Sequence, residues 1–287
     1  VSRITKEMMQ LIHQLGLSNK DDFKACYKDY KTYVDTCQAL FINGTNNQQV
    51  IDKYNDIIKD AEKRLPEFFT QLPKSKVEVR EAPVWSGSGN YYDSPVADRS
   101  KNGIFYTRVY PNTFIPAMKT LCYHETIPGH HLQIAIALES DANRKCNTLS
   151  FSTGFVEGWA LYAERLAREN HFFSTPYEQL ENLDSELYRA IRLVVDTGLH
   201  YKRWSREQAS QYFLTFWDWN GLSEIDRYLV WPGQACSYKI GELKLIELRQ
   251  KYKKKKGDLF DIREFHRLVL ENGSLPLHLL ESKILSE

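Results

Sequence analysis

The residues best suited to chemistry are Tyr123-His124-Glu125-Thr126-Ile127-Pro128-Gly129-His130-His131-Leu132-Gln133. A histidine followed at once by glutamate, with another histidine shortly after on a helix, is how metallopeptidases hold a catalytic zinc. The imidazoles bind the ion and the glutamate takes a proton from its water. In the ordinary H-E-x-x-H form the histidines stand four apart and share a helix face, but here that position is Pro128. An α-helix turns about 100° per residue, so His130 would lie roughly 120° round from His124, and His131, though cofacial, about 10 Å along the axis. No regular helix brings either pair to one ion. A break at Pro128-Gly129 does, because proline removes a backbone donor and crowds the preceding turn while glycine accepts the dihedrals of a bulge. A two-residue bulge returns His130 to the place of the second histidine, and His131 would need three. His124 and His130 are therefore the expected ligands and Glu125 the expected base, with His131 behind the ligands or touching substrate.

Zinc needs a third protein ligand, with water in the fourth position. Phe155-Val156-Glu157-Gly158-Trp159-Ala160-Leu161-Tyr162-Ala163-Glu164 reads as an amphipathic helix with acids two turns apart on one face. Glu157 begins an otherwise apolar face, where an ionised side chain is costly unless paired or metal-bound, so it is the expected ligand. Glu164, followed by Arg165, Arg168 and Glu169, reads as a solvated acid. Further on, Arg189, Arg192, Asp196 and His200 recur at helical spacing, with Arg192–Asp196 an i,i+4 pair. Such a stripe either faces water, orients a zinc ligand, or grips a substrate carboxylate through Arg192.

These side chains must be positioned by helices, since apolar residues at spacings of three and four dominate the chain. The expected helices are Ile4–Leu15, Gln49–Thr70, Ile115–Leu138, Gly154–Glu169, Leu180–Trp204, Arg206–Trp217, Glu224–Leu229, Gly233–Tyr252, Ile262–Leu270 and Leu277–Leu285. Lys253 to Lys256, closed by Gly257, reads as the exposed end of a helix. Only Lys76 to Pro111 differs: Val77–Arg80 and Ile104–Tyr110 alternate like strands around a Ser/Gly passage. Two or three strands are expected there, and the one carrying Tyr106 offers an edge to which an extended peptide can add.

The 287 residues, 42% of them apolar, suffice for a substantial core. With 38 Lys+Arg against 37 Asp+Glu the formal charge is +1, which excludes a field favouring nucleic acid. No apolar run approaches the roughly 20 residues of a membrane span. The chain opens at Val1, as expected of a trimmed or processed product. Cys26, Cys37, Cys122, Cys146 and Cys236 show no paired spacing, so neither a zinc ribbon nor a disulfide framework is expected. Asn43-Gly44-Thr45 and Asn272-Gly273-Ser274 are sequons, hence glycosylation sites at Asn43 and Asn272 if the chain is secreted or lumenal.

Four stretches together resemble family 885 of the domains of unknown function: Tyr123 to Gln133, Glu157 to Glu164, Asp196-Thr197-Gly198-Leu199-His200, and Pro232-Gly233-Gln234-Ala235-Cys236-Ser237-Tyr238-Lys239-Ile240-Gly241. The closing run from Phe265-His266 to Leu277 fits it too. Family members are about twice as long, which places this chain as their C-terminal half. More distantly the pattern is similar to helical gluzincin peptidases of the thimet-oligopeptidase and Taq-type carboxypeptidase groups. That resemblance implies a mostly α, zincin-like metallopeptidase fold with a small antiparallel sheet at the edge of the cleft. It also directs attention to Tyr238 as the phenol that stabilises the oxyanion of amide hydrolysis, with His200 as a second candidate.

The expectation is one catalytic domain over residues 1–287 that binds one Zn2+ and hydrolyses peptides. The rival is a non-catalytic secreted glycoprotein or binding module that keeps the fold. Expected partners are a peptide substrate and either the other half of a processed precursor or a second copy, with no nucleic acid and no membrane span.

Overall fold

The computed structural model describes residues 1–44, 47–86, 89–140 and 152–287. Most of them are helical: α1 Ser2–Gln14, α2 Phe23–Thr36, α3 Asn47–Arg64, α4 Ile115–Glu125, α5 His130–Glu139, α6 Thr153–Glu169, α7 Pro176–His200, α8 Arg206–Leu214, α9 Leu222–Val230, α10 Gln234–Lys256, α11 Ile262–Leu270 and α12 Leu277–Ser286. The strands are short: β1 Phe41–Asn43, β2 Val77–Glu81, β3 Tyr91–Asp93, β4 Gly103–Thr107 and β5 Asn112–Phe114.

Local chemistry sets several boundaries. Thr175 and Glu178 form a reciprocal capping box, so α7 begins at Pro176, ahead of its first apolar stripe residue. Lys253 to Lys256 make the last turn of α10, closed by Gly257 at φ 53°. The cationic end thus stands where the helix dipole favours it. Helix α2 was not expected: its FKACYKDYKTYVDT sequence is rich in tyrosine and charge, yet it buries Cys26, Tyr27, Tyr30 and Val34 along one face and is capped by Asp22. That face is covered by α1 and α7, a partnership no local window shows.

The five strands form two sheets. β1 pairs with β5 antiparallel. The other sheet has the order β2-β4-β3, with β3 antiparallel to β4 and β2 parallel to it, so it is mixed where a purely antiparallel one was expected. This order corrects a second expectation. β4, which carries Tyr106, is the central strand, and its backbone is paired on both sides. The outer strands are β2 and β3, and β3 is the one that lines the cleft.

Two hydrophobic clusters flank the middle of the molecule. One gathers α3, the β2–β4 strands, α4–α6 and the C-terminal helices around Phe105, Trp159, Tyr162 and Phe265. The other gathers α1, α2, α7, α8 and α9 around Tyr30, Leu187, Phe213 and Tyr228. Between them α6 crosses α10 at two glycines with no side chain separating the backbones. A Cβ on Gly158 would stand 2.4 Å from the Gly241 Cα, and one on Gly241 would stand 1.9 Å from the Gly154 carbonyl oxygen. Glu157 and Tyr238 are thereby held on adjacent walls. Asp196 of α7 accepts from the Gly233 N–H at 3.1 and 3.2 Å, anchoring the start of α10. The expected Arg192–Asp196 pair does not form, because Asp196 is committed to this backbone and to the Cys236 thiol.

Among the described residues no helix is long and apolar enough to cross a membrane. Cys26, Cys37, Cys122 and Cys236 are free thiols, and Cys146 lies outside the described residues. Asn43 is exposed at the end of β1. Asn272 is half-buried, with its amide engaged by Leu268, Glu271 and Lys283.

Candidate metal centre

The helix that begins at Ile115 stops at Glu125, and a new one begins at His130. The turn between them folds back so tightly that a Cβ on Gly129 would stand 2.0 Å from the His124 carbonyl oxygen. Only glycine fits there. The Trp159 indole of α6 donates to the Pro128 carbonyl at 2.8 Å and pins this turn to the neighbouring helix. His124 ends one helix and His130 opens the next, with ring centroids 4.8 Å apart.

Both rings aim Nε2 at one carboxylate. Glu157 Oε2 lies 3.6 Å from His124 Nε2 and 3.4 Å from His130 Nε2. The three donor atoms fall within 4.8 Å of one another. Ligand atoms around a tetrahedral zinc at about 2.0–2.1 Å stand roughly 3.3–3.5 Å apart, so the two Nε2–Oε2 distances and the donor types suit that ion. Glu157 Oε2 is also buried without a hydrogen-bond partner, as an atom reserved for a cation would be. Burial disfavours charge on His124, yet the Glu157 and Glu164 carboxylates beside it outweigh this and hold its pKa up at about 9. Against the same burial, the two imidazoles keep Glu157 well below the usual carboxylate range. The cluster favours positive charge at its centre.

Glu164 is not the solvated acid that its charged neighbours suggest. It is 1% exposed. Its Oε1 lies 2.7 Å from His124 Nδ1, and its Oε2 accepts from the Ser185 hydroxyl at 2.9 Å. Arg189 stands 3.6 Å away and also donates to Ser185, so α7 braces the acid. The imidazole of His124 is thus gripped between two acids from one face of α6, the arrangement that fixes tautomer and ring direction in metal sites. The seven-residue spacing of Glu157 and Glu164 was visible in the sequence, and its meaning was not.

A cleft of about 780 Å³ opens over this cluster, lined by Glu125, Tyr238, the β3 segment around Tyr91, and the α9–α10 corner with Glu224, Arg227, Trp231 and Gln234. The Tyr238 ring stacks on His124 at 6.1 Å, and its hydroxyl accepts from Gln234 Nε2 at 3.2 Å. Burial, and behind it the Glu157 charge, raises the Tyr238 pKa, so the phenol keeps its proton and remains a donor.

Four residues expected at the site stand elsewhere. His131 lies behind the cleft with both nitrogens engaged, Nδ1 with the Tyr92 hydroxyl at 2.8 Å and Nε2 with the Ser75 carbonyl at 2.9 Å. Burial lowers its pKa to about 4, and it braces the sheet against α5 rather than touching a ligand. His200 sits at the end of α7 with Nε2 2.9 Å from the Tyr228 carbonyl, away from the cleft and from any developing charge there. Tyr106 stacks behind Tyr91, centroids 4.9 Å apart, and supports the strand that faces the cleft. Arg192 is buried behind Gln234, to which it donates at 2.9 Å, so it does not line the cleft. Periodicity identified the polar positions but not their partners.

Mostly helical, with a small sheet beside a cleft that gathers two histidines and a glutamate, the chain belongs to the family described as "Bacterial protein of unknown function (DUF885)", whose profile matches residues 1–284. Two solved structures are similar. A Colwellia psychrerythraea protein described as a "putative lipoprotein" is 34% identical with a TM-score of 0.89, over 99% of this chain and 50% of that one. A Shewanella oneidensis protein described as a "putative lipoprotein of unknown function" is 22% identical with a TM-score of 0.79, over 99% of this chain and 54% of that one. The chain thus spans about half the length of these structures. No curated protein matches it.

Proposed function

We propose that the cleft is the active site of a zinc-dependent hydrolase of peptide or closely related amide bonds. The observation that carries this reading is the convergence of His124, His130 and Glu157 on one point, beneath a cleft that Glu125 and Tyr238 also line. His124, His130 and Glu157 would hold the metal. A zinc ion in that position supplies Lewis acidity, which acidifies water and polarises a carbonyl. Glu125, next in sequence to one ligand and facing the same space, accepts the proton of the attacking water and passes it to the departing amine. Tyr238 donates its phenolic hydrogen to the oxygen on which charge develops, and its stacking on His124 keeps the hydroxyl at the metal side. Glu164 holds His124 in the tautomer that leaves Nε2 free. The unpaired edge of β3 offers main-chain donors and acceptors along the cleft, suited to an extended peptide.

The resemblance to helical gluzincins supports this reading, and the description of the Colwellia psychrerythraea relative as a lipoprotein favours a location outside the cytoplasm. The test is metal content together with cleavage. The wild-type chain takes up about one zinc per molecule; Glu125→Gln keeps the zinc and loses cleavage of a quenched-fluorescence peptide library, and His124→Ala loses the zinc. A protein that takes up no zinc would instead be a binding module. Full activity in Glu125→Gln would end the mechanism.

A further inference from the structure

We propose that the α9–α10 corner of the cleft binds a carboxylate of the substrate through Arg227. This deepens the hydrolase reading and rests on it for the word substrate. Two guanidinium groups meet at this corner. Arg192 is 3% exposed and has no carboxylate within ion-pair distance among the described residues. Its Nη2 donates to Gln234 Oε1 at 2.9 Å, its guanidinium lies 4.3 Å from the Tyr238 ring centroid, and its Nε is buried without an acceptor. Arg227 reaches the same Gln234 oxygen at 3.4 Å and stands over the Trp231 ring at 5.9 Å. One neutral amide oxygen therefore receives both cations. The nearest acid is Glu224, 3.7 Å from Arg227, and its Oε2 is itself without a hydrogen-bond partner.

Among the described residues the two guanidinium groups have between them one carboxylate within ion-pair distance, so positive charge remains that a ligand anion would neutralise. Arg227 is the part of this pair that the ligand can reach. Its side chain is 41% exposed, and among the described residues it is the one permanently cationic side chain lining the cleft. Its planar fork suits bidentate contact with a carboxylate. The position relative to the chemistry follows from the hydrogen bonds. Arg227 touches Gln234, Gln234 touches Tyr238, and Tyr238 stacks on His124. That path corresponds to roughly two or three residues of extended chain at about 3.3 Å each. The carboxylate therefore sits within a few residues of the bond that is cut, with Trp231 walling the side chain beside it. It is either the C-terminal carboxylate or the side chain of an aspartate or glutamate.

Three peptides of one length distinguish these sources: uncharged with a free C-terminus, the same peptide amidated, and the amidated peptide with a single glutamate at its end. Cleavage is measured with the zinc-loaded wild type and Arg227→Gln. Binding is measured by calorimetry with zinc-loaded Glu125→Gln and with Glu125→Gln/Arg227→Gln. The expected result is a preference of at least tenfold for one or both carboxylate peptides over the neutral amide, falling to near unity once Arg227 is replaced. Preference for the free acid alone assigns the C-terminus, and preference for the glutamate peptide assigns the side chain. Equal handling of all three peptides, or a preference that survives Arg227→Gln, overturns the proposal, as does failure of Glu125→Gln to bind any of them. If the wild type cleaves none while the Arg227-dependent binding preference persists, the carboxylate site stands and the hydrolase reading falls.

Discussion

Replacing Gly241 by alanine tests whether the bare crossing of α6 and α10 is what sets the metal centre. Within a helix this exchange ordinarily stabilises by about 1 kcal/mol, because glycine has the poorer helix propensity. Here the added Cβ would lie 1.9 Å from the Gly154 carbonyl oxygen and 2.6 Å from the Gly158 Cα, where ordinary contact begins at 3.4 Å, so the shortfall is 3.4 − 1.9 = 1.5 Å. Both obstacles are backbone, and no side-chain rotation relieves them. The helices must part by about an ångström, at an overpacking cost of about 1–3 kcal/mol. The expected net effect is a destabilisation of up to about 2 kcal/mol, opposite in sign to propensity, read from urea midpoints at unchanged m-value. The same displacement carries Glu157, one residue from Gly158, away from His124 and His130. Zinc affinity, measured by chelator competition, should therefore weaken by about tenfold or more, the scale reached when support of a ligand is lost. A Gly241→Ala protein that is more stable than wild type and binds zinc equally well would refute the reasoning.

Two further outcomes follow from residues at and away from the cleft. Glu164→Gln keeps the shape behind His124 but removes the charge that holds its Nδ1 proton; zinc affinity should fall by about 10–100-fold with little loss of helical signal, and an unchanged affinity would show that Glu164 is only packing. His266 is fully buried, hydrogen-bonded to Tyr162 and to the Phe68 carbonyl, and burial lowers its pKa from 6.5 to about 3. The folded form thus binds its proton more weakly than the unfolded chain. The contribution is complete above pH 6.5 and is lost as pH falls toward 3, at up to about 1.4 kcal/mol per pH unit. Urea midpoints between pH 7 and 4.5 should therefore fall more steeply for wild type than for His266→Gln, and parallel slopes would exclude the effect.

What the sequence disclosed was a cluster of side chains encoded within a few residues. His124, Glu125 and His130 were legible because a helix breaker between a histidine and its partner has a countable geometric consequence, and Glu157 because an acid opening an apolar face needs a reason. Glu164 was misread since its burial is decided by Ser185 and Arg189 on another helix, to which no local pattern points. The assignments of His131, His200, Arg192 and Tyr106 went astray for the same cause: helical and strand spacing locates a side chain on a face without saying what covers that face. β3, just after the Ser/Gly passage, was not placed among the two or three strands expected between Lys76 and Pro111, and with it went the order that makes β4 central. Arg227 drew no comment and Gln234 entered only as part of the stretch leading to Tyr238, because both matter only where α9 meets α10.

The two imidazoles of the centre are not held alike. His124 is clasped on its far nitrogen by an acid that is itself tethered at its second oxygen, whereas the Nδ1 of His130 has no partner among the described residues. One ring is tethered behind and the other is not. Ions of unequal radius can then be accommodated by swivelling a single ring, while the wall that meets the bound molecule stays fixed. Loading the proposed site with cobalt or cadmium in place of zinc should thus be registered at His130 and scarcely at His124.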